Sequence, residues 1–109
     1  MDIKKKSLAY FKCFSNKNLE ELKSFFSETV YLRDWDIEAK GIKRVLEANK
    51  KIFDSVETIN VKPIDIYKDR NFIIAELEIL INQVDKLLVV DIISFDSEFK
   101  INSIKAYKG

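Results

Sequence analysis

The chain has 109 residues, 47% of them hydrophobic and 34% charged, with 19 Lys plus Arg against 18 Asp plus Glu and a net charge of +1. That suffices for a single domain, 1–109, around one core, and so even a balance leaves no footprint for nucleic acid or an anionic membrane. There is no histidine and only one cysteine, which excludes His-based acid–base chemistry, Ser-His and Cys-His nucleophile pairs, most transition-metal sites and an internal disulfide.

Proton transfer near neutral pH would then fall to carboxylates, tyrosine, lysine or the lone thiol of Cys13. No apolar run reaches the length of a membrane-spanning helix, and the N-terminus lacks a signal-peptide core. With a single cysteine suited to a reducing compartment, the expected location is the cytoplasm. No cofactor and no metal are expected.

Residues 3–16 place Ile3, Ser7, Leu8, Phe11 and Phe14 near helical spacing, with Tyr10 beside the stripe. Asn16-Lys17-Asn18 ends this helix. Asn18 then caps a second one, with Glu21 completing a capping-box-like pattern and Leu19, Leu22, Phe25 and Phe26 on its buried face. Over 29–38 the period changes to two: Val30, Leu32, Asp34 and Asp36 alternate with Tyr31, Arg33, Trp35 and Ile37, as in a strand. Gly41 breaks the pattern before a third helix at 42–54, whose inner stripe is Ile42, Val45, Leu46, Asn49, Ile52 and Phe53.

From residue 57 onward the period stays that of strands. The phase slips at Lys62-Pro63, which predicts a bulge near a sheet edge, since Pro cannot donate to a ladder. Asp69-Arg70-Asn71, Gln83-Val84-Asp85 and Asp96-Ser97-Glu98 read as short turns, so the strands form an antiparallel meander. In the strand around residue 91, Leu87, Val89, Asp91, Ile93 and Phe95 share one face, and Asp91 is its only ionisable group. A carboxylate there loses hydration, so its pKa should rise unless a cation or several donors meet it. The alternatives are a shifted register, or an Asp satisfied by backbone N–H groups. Leu88, Val90 and Ile92 make the opposite face apolar as well, and a second copy of the chain is the simplest cover.

The order helix, capped helix, strand, Gly-led helix and long meander resembles the NTF2-like family, the nuclear transport factor 2, SnoaL-like and ketosteroid isomerase group. The resemblance spans the whole chain. It rests on Tyr10 with Asn18-Leu19, the Val30-Tyr-Leu-Arg-Asp34 strand, Lys40-Gly41-Ile42, and Val90-Asp91-Ile-Ile-Ser-Phe95-Asp with Lys100-Ile101. It implies an α+β cone, three N-terminal helices packed on a strongly curved, mostly antiparallel β-sheet. Among these proteins the ketosteroid isomerases are similar in three positions: Tyr10 stands where they carry a catalytic Tyr, Asp34 where they carry a general base, and Asp91 where they carry a neutral carboxylic acid donor. The pattern departs from theirs at Trp35, where they usually have Pro, at Asn49, where some have a supporting Tyr, and at Lys108, where they place an apolar wall residue.

The resemblance thus implies Asp34 as base, with Tyr10 and Asp91 as donors to an enolate oxygen and Asp36 able to replace Asp34. Leu32, Asp36, Asn49, Val89 and Ile93 are the expected pocket residues. The bland readings are a core-edge Tyr10 with its hydroxyl bonded, a solvated Asp34, and Trp35 packed on a helix or dimer partner. The expected function is proton transfer, of isomerase or cyclase type, on a small hydrophobic carbonyl compound held in the cone. A non-catalytic ligand binder, or a dimerisation or adaptor module, is the alternative. The expected partners are that ligand and a second copy at the outer sheet face, with neither nucleic acid nor membrane.

Overall fold

Asp2 starts the first helix: its carboxylate accepts the N–H groups of Lys4 and Lys5, which would otherwise be orphaned at a helix start. The computed structural model describes residues 2–109. Helix α1 (Ile3–Ser15) buries Ile3, Ser7, Tyr10, Phe11 and Cys13. The Cys13 thiol donates to the Asn18 carbonyl, a small buried group as expected.

Asn18 caps α2 (Leu19–Lys23) by accepting from Glu21 N–H at 3.1 Å, while its own amide donates to the Glu21 carboxylate. That helix is a single short turn-and-a-half, and only Leu22 is fully buried on it. Phe26, expected on its buried face, instead opens β1 (Phe26–Arg33), so the strand begins earlier than the alternation implied.

The larger correction lies at the other end of β1. The alternation through Asp36 predicts one strand to residue 38, but β1 stops at Arg33 and the chain reverses. The side chain of Asp34 causes the reversal: its Oδ1 accepts the N–H groups of Asp36 and Ile37, both at 2.7 Å, and Asp34 N–H donates to the Ile37 carbonyl. The returning strand β2 (Glu38–Lys40) pairs antiparallel with β1, Leu32 opposite Ala39. Gly41, at φ +89°, then turns the chain into α3 (Ile42–Ser55), a conformation that favours glycine.

Four strands follow: β3 (Ile59–Asp69), β4 (Phe72–Ile81), β5 (Asp85–Phe95) and β6 (Ile101–Lys108). Their antiparallel meander matches the expectation, and the register of β3 shifts between Pro63 and Asp65, on the edge strand, where the phase slip placed it. The sheet is curved and open, in the order β2-β1-β6-β5-β4-β3, with one parallel pairing, β1 to β6. Its concave face packs on the helices around Phe11, Leu22, Val45, Ile73 and Phe95. Each such side chain gains roughly 1.5–3 kcal/mol on burial.

Candidate functional site

The helices cover the concave face incompletely, leaving an apolar cavity of about 230 Å³ between α1, α3 and the sheet. The cone is therefore not filled by its own side chains, as an adaptor with a closed pocket would require. Tyr10, Asp34 and Asp91 all line this cavity, together with Leu32, Asp36, Asn49 and Val89. Ile93 does not: enclosed between Ile73 and Ile104, its partners on the adjacent strands, it is fully buried in the core.

Asp91 faces inward on β5, 9% exposed, in the register the alternation predicts. Its cross-strand neighbours are Ala75 on β4 and Ala106 on β6. Two methyl groups flank the carboxyl where larger side chains would have covered it, so it reaches the cavity. Neither the carboxyl nor the Tyr10 hydroxyl makes a hydrogen bond among the described residues, which removes both the backbone-satisfied Asp and the bonded core tyrosine as alternatives. Burial pushes the Asp91 carboxyl up to about 7, and the negative charge of Asp34 adds to the rise.

Tyr10 is held by rings rather than by polar partners. Phe11, Phe14, Phe25 and Phe26 surround it at centroid separations of 5.6, 6.2, 5.9 and 6.0 Å, mostly tilted or edge-on. Burial is the main cause that drives its phenol well above the ordinary value, and the nearby Asp91 charge works the same way. The phenol thus stays a proton donor across the working pH range.

Asp34 sits at the rim in the reversal described above, half-buried, with Oδ1 committed to two backbone donors. Asp36, exposed, follows it at the mouth. Trp35 also lines the mouth, 43% exposed, with Lys108 Nζ 5.9 Å from its ring centroid. Strand parity packs Trp35 on a helix or dimer partner instead, and parity fails here because Trp35 lies in a turn. An Asp able to accept the N–H groups two and three residues on is the signal that would have found it. Lys108 reaches the same rim because β6 pairs it with Val89, an inward-facing residue.

Asn49 projects from α3, 2% exposed, and its Nδ2 has no partner among the described residues. No group of three or more His, Cys, Asp or Glu that could hold a metal occurs among them. No helix is long and apolar enough to cross a membrane.

No family model matches the chain, and no curated protein matches it in sequence. Solved structures do match in shape. An NTF2-like protein of unknown function from Cytophaga hutchinsonii superposes with a TM-score of 0.84 at 12% identity, covering 100% of this chain and 91% of that one. A candidate SnoaL-like polyketide cyclase from Shewanella denitrificans gives 0.87 at 10% identity, covering 98% and 90%. SalBIII, an epoxide hydrolase/cyclase-like enzyme with a role in pyran ring formation in the polyether salinomycin, gives 0.85 at 17% identity, covering 98% and 90%. At these identities the likeness is one of fold.

Proposed function

The chain has the fold of NTF2-like and SnoaL-like proteins, and from that premise we propose that it binds a small hydrophobic carbonyl compound in the cone and moves a proton on it, as an isomerase or cyclase. One observation carries this reading. A tyrosine hydroxyl and a carboxyl whose pKa burial raises share an apolar cavity, and neither has a hydrogen-bond partner among the described residues.

Removing a proton beside a carbonyl leaves negative charge on the carbonyl oxygen, and donors aimed there stabilise the transition state more than the ground state. In the proposed mechanism the Tyr10 hydroxyl and protonated Asp91 donate to that oxygen. The carboxylate of Asp34 takes the proton from the adjacent carbon through Oδ2, since Oδ1 is held by Asp36 and Ile37 N–H. The enolate then regains the proton at another carbon, or attacks a second carbonyl carbon of the same molecule, closing a ring as that C=O π bond opens to an alkoxide that takes the proton back from Asp34. Asp36, at the same mouth, can stand in for Asp34.

Binding of 4-nitrophenol, an enolate mimic whose absorbance reports ionisation, tests the donor pair in wild type, Tyr10→Phe and Asp91→Leu. The expected result is binding weakened about tenfold or more in each variant, the loss of a donor to a charged oxygen. Absence of binding to the folded wild-type protein would overturn the reading. The double variant Asp34→Asn with Asp36→Asn separates catalyst from binder: turnover should vanish while affinity for the mimic persists.

The outer sheet face carries the second element of the proposal, a homodimer. Leu88, 52% exposed, and Val90 paired with Tyr107 form an apolar strip. Glu76 and Glu78 on β4 border one side of it, Glu78 already paired with Lys86, and Lys105 on β6 the other, so a two-fold axis along the strands would set unlike charges opposite one another.

A further inference from the structure

We propose that the cavity also takes a second class of ligand, a hydrophobic amine that enters as its ammonium ion, with the Asp91 carboxylate as its counter-ion. This goes beyond proton transfer on a carbonyl compound and requires only that the cavity be open to ligand.

The unpartnered polar atoms of the interior separate into sealed and open ones. Asn49 Nδ2 and the Ser7 and Ser27 hydroxyls are closed off on all sides. The Asp91 carboxyl has no hydrogen-bond partner among the described residues either, but its oxygens are not sealed in this way. The residue keeps 9% of its surface, faces inward on β5 and lines the cavity, so a group placed there can reach it.

The charges around that carboxyl have one sign. The ionisable residues that line the cavity are Tyr10, Asp34, Asp36 and Asp91, every one an acid, with neither Lys nor Arg among them. Lys108 at the rim lies 5.9 Å from the Trp35 ring centroid and does not line the cavity. The charge that acts on Asp91 is the negative one of Asp34, which repels rather than offsets.

A buried carboxylate is ordinarily paired with a cation or met by several donors. Asp91 has neither, and a protonated amine brings both at once, a positive charge and up to three N–H groups. Its hydrocarbon body is covered by Leu77, Ile79 and Val89, whose burial against it favours binding. An anionic ligand meets the reverse: Asp34 and Asp36 at the mouth repel it, and no cation lining the cavity receives it. The carbonyl compound and the amine thus use the same carboxyl in opposite states, protonated for the first and ionised for the second.

The test uses two pairs of probes matched in size, benzylamine with benzyl alcohol and hexylamine with hexanol, so that within a pair only the charged group differs. Affinities are measured at pH 8 by NMR titration against wild type, Asp91→Asn and Asp91→Leu, with circular dichroism confirming each fold. In at least one pair the amine should bind wild type about tenfold or more tightly than the alcohol, the margin of a charge-assisted contact. Both substitutions should bring that ratio to within about twofold of unity. Amine binding no tighter than alcohol binding, a preference unchanged by loss of Asp91, or no amine binding to folded wild type overturns the inference. Titration of 4-nitrophenol at pH 6 against the same three proteins keeps the two readings apart. If the amines fail while 4-nitrophenol binds and is weakened by Asp91→Leu, the carbonyl reading stands without this one. An amine preference without 4-nitrophenol binding leaves the amine site standing alone.

Discussion

Asp91 illustrates how a single residue can oppose the fold that holds it. Its carboxyl ordinarily titrates at 3.8 and is raised to about 7 in the folded chain, first by burial and then by Asp34. Because the folded pKa lies above the unfolded one, the unfolded state releases its proton first as pH rises. Stability associated with Asp91 is therefore intact below about 4 and declines through the window from about 4 to 7, by roughly 4 kcal/mol. The neutral isostere Asp91→Asn should melt at higher temperature than wild type at pH 8, and the difference should shrink to nothing as the pH approaches 4. Thermal melts across that range are the check, and a wild type that gains stability towards pH 8 relative to the variant would contradict it. Tyr10 behaves in a related way. Its hydroxyl has no partner, so Tyr10→Phe should hold stability to within about 1 kcal/mol or raise it, while weakening the phenolic mimics.

The reversal between β1 and β2 shows an element built by one side chain. Asp34→Asn keeps an acceptor oxygen for Asp36 and Ile37 N–H, whereas Asp34→Ala removes it. Denaturant melts should place the alanine variant about 1–3 kcal/mol below the asparagine one. This same element marks where the sequence ceased to be legible. Alternation located Asp91, Val89 and the β3 bulge, because those residues lie in long strands where parity reports the buried face. It failed at Asp34–Ile37, where Asp, Trp, Asp and Ile happen to continue an alternating pattern while a side chain is turning the backbone. Parity misplaces Trp35 for that reason, and it counts Ile93 among the pocket residues because it gives the face of a strand but not its depth. The size of the cavity depends on how α3 and α1 splay over the sheet, and no local pattern encodes that.

At the scale of the molecule, the two faces of the sheet carry separate roles in the proposal, the concave one for ligand and the convex one for a second copy. A charged substitution at the convex face, Val90→Lys or Leu88→Lys, should shift sedimentation from dimer to monomer and leave 4-nitrophenol binding within about twofold, since distant sites act independently. Wild type sedimenting as a monomer at micromolar concentration would sink the dimer proposal.

The parallel pairing of β1 with β6 joins the early part of the chain to its final strand. Contacts so far apart in sequence carry a loop-closure cost before they stabilise anything, so they form late. Ile104 and Ala106 of that last strand also line the cavity. A chain ending before Ile101 would contain Tyr10, Asp34, Asn49 and Asp91 and yet lack the part of the cavity wall that Ile104 and Ala106 supply. Ligand should bind completed molecules more tightly, and in refolding its arrival would report the closing step rather than the collapse that precedes it.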